Sequence, residues 1–277
     1  MGWHYFFKYG ASRNLMSIRT KVILPFLLLT LVIAVTGVFV VTRLVADSLN
    51  ERLLNQLLEA GRVVSDDFVR QEIQHVETGR IVAFTRGLSE ALAEGDGKKV
   101  TELASPIAGG MGIENLVVID RQGWELTHLI FTADGQMQEV EKQIGAGASP
   151  MVQAILQSND SDSLPERGLG INPANGKYYY FTAIPVPVET DAPVAMGDHI
   201  SGVVIVGTSL DTFLPYLKAT SLADVIIYGG NGQALATSLI SLNADDKSLE
   251  TLSISDVEFQ EIINSNEILA FRQIESS

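Results

Sequence analysis

Leu116 to Leu126 reads LVVIDRQGWEL, and 109 residues later Val225 to Leu235 reads VIIYGGNGQAL. The two align without a gap, with Gly123 on Gly232 and Leu126 on Leu235. Each is an apolar run, a turn with a late glycine and a returning run, the pattern of two antiparallel strands joined tightly. A chance likeness between two hairpins is the plainer alternative. A true repeat predicts two related α+β modules, each a twisted antiparallel sheet with helices on one face.

Further elements surround the first copy. Leu116 to Ile119 is a buried-strand run, Trp124 to Phe131 a second strand, and Asp134-Gly135 a turn. Ser149 to Gln157 predicts a short amphipathic helix. Asn172 to Gly176 is a loop ending in a hairpin signal. Lys177 to Val188 and His199 to Ser209 predict two antiparallel strands, joined through a loop around Pro193, and Asp211 to Ala219 a helix. After Ser238 come an acidic loop at Asp245-Asp246, a helix-like stretch from Ser255 to Asn266 and a strand start from Ile268 to Ile274. The second copy is therefore expected to be an unfinished module.

Toward the N-terminus, Val22 to Val41 reads VILPFLLLTLVIAVTGVFVV, without a charge. At about 1.5 Å per residue it spans roughly 30 Å, one bilayer core. Pro25 stands in its first turn, where a missing N–H costs little. The run is longer than the apolar stretch of a signal peptide, and Thr42-Arg43-Leu44-Val45 offers no small-x-small cleavage site. Residues 1–42 carry Lys8, Arg13, Arg19 and Lys21 and no acid, whereas all 33 acidic residues follow. The positive-inside bias then predicts a cytoplasmic N-terminus and an extracytoplasmic bulk. Met16 reads as a more ordinary start than Met1. From Leu44 to about Glu94 the chain is proline-free and rich in helix formers. Leu49, Leu53, Leu57, Ala60, Val64 and Phe68 mark one helical face, and Ile81, Phe84, Leu88 and Leu92 a second stripe. Gly61, Gly79 and Gly87 argue against one unbroken rod.

Composition narrows the function classes. The 277 residues are 46% hydrophobic and 19% charged, which supports a folded core. A net charge of −14 argues against a general nucleic-acid binder, which needs a basic face. The absence of cysteine removes disulfides, thiolate catalysis and Cys-ligated metal.

In this order of parts the chain resembles the double Cache family of bacterial extracytoplasmic sensors. The likeness rests on the strand–turn–strand Leu116–Leu126, on Tyr178-Tyr179-Tyr180-Phe181-Thr182-Ala183-Ile184-Pro185-Val186, on Gly202 to Gly207 followed by Ser209-Leu210-Asp211, and on the second copy at Asp224–Leu235. It implies a transmembrane helix, a long juxtamembrane helix and two PAS-like antiparallel-sheet modules. The expected divisions are a cytoplasmic N-terminus at 1–21, a transmembrane helix at 22–42, a juxtamembrane and dimerisation helix at 43–95, a membrane-distal module at 96–218 and an incomplete membrane-proximal one at 219–277. Members usually continue into a cytoplasmic cyclase, kinase or chemotaxis output. The Arg-x-Trp-Tyr stretch by which several members bind amino acids is missing, since Trp3 and Trp124 are the only tryptophans.

Catalytic signatures are lacking. Gly170 to Lys177 has five residues between its glycines and Tyr178 after its lysine, so it fails as a phosphate loop and reads as a hairpin. Asp160-Ser161-Asp162 lacks the later ligands of a calcium loop. His4, His75, His128 and His199 are scattered, and Asp66-Asp67 reads as a solvated pair. A binding pocket is more plausible. Tyr178 and Tyr180 share one strand face, Trp124 and His128 share another, and Arg121 and Arg167 suit an anionic ligand. Core packing for the aromatics and solvent for the arginines is the competing reading. No cofactor or metal is expected. The favoured expectation is a ligand-sensing ectodomain that homodimerises through its long helix and relays a small-molecule signal to a cytoplasmic output. A dimerisation or interaction module without ligand is the first rival, and an anchored enzyme the second.

Overall fold

The computed structural model describes residues 18–132, 135–141, 146–189, 199–239 and 246–264. The chain forms two compact units, Met1–Gln56 and Leu57–Ser277. Helix α1 (Ile18–Ala83) contributes residues to both.

In the first unit the apolar run Val22–Val41 lies inside α1 with every side chain exposed. A helix apolar on all sides and buried against nothing is suited to lipid, where its backbone bonds are satisfied internally. Among the described residues, this is the one helix long and apolar enough to cross a membrane. Leu49 and Leu53 of the expected stripe are also exposed, as is Leu57, the first residue of the second unit.

In the second unit α1 ends at Ala83, short of the expected Glu94. Gly87, at φ 85°, turns the chain, and α2 (Leu88–Glu94) follows. Helix α3 (Gly97–Met111) starts on Asp96, whose carboxylate accepts from the Lys99 amide at 3.1 Å. Strands β1 (Asn115–Asp120), β2 (Glu125–Phe131), β3 (Met137–Glu139), β4 (Glu166–Asn172), β5 (Lys177–Pro187) and β6 (Ile200–Ser209) form one antiparallel sheet. Its order is β3-β2-β1-β6-β5-β4. Helix α4 (Pro150–Ser158) lies between β3 and β4, and α5 (Leu210–Ser221) follows β6.

Helices cover both faces of the sheet, a departure from the one-face expectation. Leu116, Val118, Ile184, Val204 and Val206 pack on Val82, Leu88, Leu92 and Val100 from α1 to α3. Val117, Ile119, Ala183, Val203 and Ile205 pack on Val152 and Ile155 of α4. Strand β1 is accordingly buried at every residue, which is why it reads as a continuous apolar run rather than an alternation. Helix α1 sits close to the sheet at Gly79, where any Cβ would overlap the Ile184 side chain.

The strand–turn–strand of the second copy folds as the repeat predicts. Strands β7 (Ile226–Tyr228) and β8 (Ala234–Thr237) pair antiparallel. The Asp120 amide donates to the Trp124 carbonyl at 2.9 Å, and 109 residues on the Gly229 amide donates to the Gln233 carbonyl at 2.8 Å. Both hairpins shift register at the equivalent step, Val118/Ile119 and Ile227/Tyr228. Gly123 and Gly232 both adopt positive φ, at 86° and 79°, which the tight turn requires. Helices α6 (Asp246–Leu252) and α7 (Asp256–Asn264) complete the described chain. The expected loop around Pro193, the strand from Ile268 to Ile274, Asp134 of the turn, Asp245, and Trp3, His4 and Met16 lie outside the described residues.

Candidate functional site

The seam between α1 and the sheet is polar at its centre. Along β5, alternation places Tyr178, Tyr180, Thr182 and Ile184 on the face that α1 covers. Thr208 of β6 stands opposite Tyr180 in register. From α1, residues three, four and seven positions beyond Phe68 bring Gln71, Glu72 and His75 over this row. His75 is buried, with Nδ1 3.0 Å from the Thr182 hydroxyl and Nε2 2.8 Å from that of Thr208. Gln71 Nε2 lies 2.9 Å from both His75 Nε2 and the Thr208 hydroxyl. Burial lowers the His75 pKa to about 4, so its imidazole is neutral at ordinary pH.

Tyr180 sits at the crossing point. Its ring stacks on His75, with centroids 5.7 Å apart and planes at 28°, and meets Phe68 edge-on at 5.4 Å. Burial, reinforced by the neighbouring Glu72 carboxylate, pushes its phenol up to about 12. Glu72 also pairs with the Arg167 guanidinium, reaching across from edge strand β4. That hydrogen bond and the charge of Glu72 raise the Arg167 pKa. Phe68, Glu72, Arg167, Leu169 and Tyr180 thus line a groove of about 300 Å³ between α1 and β4. The groove offers an aromatic wall, an aliphatic rim and both signs of charge at its mouth, a combination suited to a small polar ligand.

The structure brings two of the six sequence-predicted residues, Arg167 and Tyr180, into this groove. Tyr178 shares their sheet face but lines a separate cavity of about 530 Å³, with Gln233 and Leu235 of the second hairpin, Leu249 of α6 and Ser253 just after it. His128 lies on the opposite sheet face, buried beside Asn115 (Nε2 to Nδ2, 3.0 Å) and Glu125 (Nδ1 to Oε1, 3.4 Å). Trp124 precedes β2 and is 64% exposed, and the bulge at Leu126, between the Val118–Thr127 and Ile119–Glu125 pairs, breaks the alternation that was expected to align it with His128. Arg121 donates to Asn159 Oδ1 at 2.7 Å and to the Ile200 carbonyl at 3.0 Å, tying the end of α4 to the start of β6. Neither Trp124 nor Arg121 lines the groove.

Sequence reasoning missed Glu72 and His75, which interrupt an otherwise apolar stripe. A charged and a titratable residue at the positions that continue Phe68 were the available signal. It also misread Asp67 as solvated. Its carboxylate is buried, 2% exposed, and accepts from the Thr220 hydroxyl at 2.6 Å. Strand β4 was missed because ERGLGIN is glycine-rich and charged, a composition that an edge strand tolerates.

Residues 50–275 match the family model described as the double sensory domain of two-component sensor kinases. No curated protein matches the chain. Among solved structures, the chain is similar to the extracellular domain of vpHK1S-Z8, a protein assigned as a histidine kinase. Identity is 12%, the TM-score is 0.52, and 78% of this chain and 80% of that one are covered. It is also similar to the sensor domain of the Vibrio cholerae histidine kinase DctB, at 13% identity, TM-score 0.48 and 69% of each chain. The sensory domain of the Campylobacter jejuni chemoreceptor Tlp3, with isoleucine bound, is similar at 12% identity and TM-score 0.47, over 69% of this chain and 71% of that one. With more than half of its length matched by the family model and its sheet built as described, the chain belongs to the double Cache family, the double sensory domain of two-component sensor kinases.

Proposed function

We propose that this chain is the extracytoplasmic, ligand-sensing part of a membrane-anchored receptor, and that a small molecule binds in the groove between α1 and β4. The observation that carries the reading is the placement of Tyr180. It contacts α1 through Phe68 and His75 and lies beside the Glu72–Arg167 pair at the groove mouth. A ligand that competes for Arg167 or Glu72 changes the partners of α1, the helix that also contains the apolar span. Such a ligand shifts α1 between arrangements only as far as its affinity differs between them. In this reading the N-terminus is cytoplasmic, residues 43–95 serve as the juxtamembrane and dimerisation segment, residues 96–218 are the distal module and 219–277 belong to the proximal one. Two copies associate through the exposed leucines of α1, and the output reaction belongs to a cytoplasmic domain. The sensing region itself is non-catalytic.

The test is a thermal-shift survey of the full chain in lipid nanodiscs against panels of small organic acids, amines and neutral metabolites. A ligand that binds only the folded state raises Tm by mass action. A saturable rise with one chemical class supports the sensor. A folded dimer that no class stabilises supports the rival reading, an interaction ectodomain without ligand, which the unpartnered Leu49, Leu53 and Leu57 on α1 favour.

A further inference from the structure

Helix α5 presents two bonding sides to two different parts of the second unit. Tyr216 and Thr220, four residues apart, share one face. Both bond Asp67 of α1, Thr220 donating to Oδ2 at 2.6 Å and Tyr216 to Oδ1 at 3.3 Å. Arg70 adds a bond to Oδ1 at 3.3 Å from the next turn of α1. Lys218, between the two in sequence, points elsewhere. It donates to Asp224 Oδ1 at 2.5 Å and to the Ser238 carbonyl at 3.2 Å, the two ends of the β7–β8 hairpin. Leu210 and Leu214 of α5 fill the space among Phe68 of α1, Tyr180 of β5 and Ile227 of β7.

Asp67 plays no part in the ligand groove. A buried carboxylate is costly unless bonded, so its three partners are held firmly, and losing them leaves a charge without compensation. Lys218 bonds the hairpin to the same helix from the other side. We propose that α5 is the coupling element through which α1 and the β7–β8 module set each other's stability, with Asp67 and Lys218 as its two positioning residues. The coupling gives the sensor a second route to α1, from the second module, yet it rests on none of the ligand claims. Because coupling between two sites is reciprocal, a change at either residue is felt at the other's element.

Amide hydrogen exchange on the full chain in nanodiscs tests this without any ligand. Asp67→Ala should speed exchange at the Gly229 and Ser238 amides of the hairpin by about tenfold, within the usual range of coupling between sites. The Phe131 and Val140 amides at the far sheet edge should stay within about twofold of wild type. Lys218→Met should in turn speed exchange across α1 from Asp67 to His75. Thr220→Val removes one bond and leaves the charge, so it should give the same pattern at smaller size if Asp67→Ala fails to fold. Hairpin amides unchanged in the Asp67 and Thr220 variants would overturn the proposal. So would a uniform rise at all amides, which signals general destabilisation.

Discussion

The phenol ring of Tyr180 lies flat against the imidazole of His75, centroids 5.7 Å apart and planes at 28°. One residue belongs to the sheet and the other to the helix laid over it. Both are polar at one end and buried, so each must satisfy its heteroatoms inside the seam. His75 does so with Thr182 and Thr208, and Tyr180 lies beside the Glu72 carboxylate. A seam held by directed bonds has few alternative registers, and moving α1 along the sheet means exchanging one set of partners for another.

The neutral imidazole sets a pH dependence. The folded-state pKa of about 4 lies below the unfolded value of 6.5. Between these values the unfolded chain binds a proton that the fold refuses, so stability falls as pH drops from about 6.5 to about 4 and levels off below. The loss is about 3 kcal/mol. Urea melts of wild type and His75→Gln across this window should show the slope in the former and its absence from the His75 share in the latter.

Gly79 permits the close approach of α1 to Ile184. Gly79→Val should destabilise by about 1–3 kcal/mol through overpacking. Ile184→Ala in the same chain should recover part of that loss, giving a non-additive double-mutant cycle in denaturant melts. Additive losses would place the strain elsewhere.

The turn glycines of the two hairpins test the repeat. Gly232 has positive φ, and a Cβ there would also overlap the Ile254 carbonyl, whereas Gly123 has ordinary contact distances around it. Gly232→Ala should therefore cost more than Gly123→Ala, which pays about 1–2 kcal/mol for the left-handed backbone alone. Chemical denaturation of both variants decides the ranking.

Much of this architecture was legible in the sequence. The repeat at Leu116 and Val225 announced the two hairpins, down to their glycines, because a tight turn restricts which residues serve it. The apolar run at Val22 and strands β5 and β6 were equally plain, since period and length are local signals. The seam was not. Glu72, His75 and Asp67 look like surface residues on a helix until the sheet is placed beneath them. Which of several aromatics and arginines converge depends on strand order and on a single bulge: Tyr180 and Arg167 meet because β4 and β5 are neighbours, and Trp124 turns outward because the register shifts beside Glu125. Those are properties of long-range pairing, which neither periodicity nor composition records.

Arg167 offers the most direct test of the sensor reading, because its side chain is 63% exposed and its ion pair contributes little to the fold. Arg167→Met should change stability by less than about 1 kcal/mol. The decisive measurement is a calorimetric titration of wild type and Arg167→Met, side by side, with the compound class that raises Tm in the survey. The account predicts saturable binding by wild type and affinity at least about tenfold weaker in the variant, the loss of one charged hydrogen bond. Equal affinity in a well-folded Arg167→Met chain would contradict it and move the ligand out of the groove between α1 and β4.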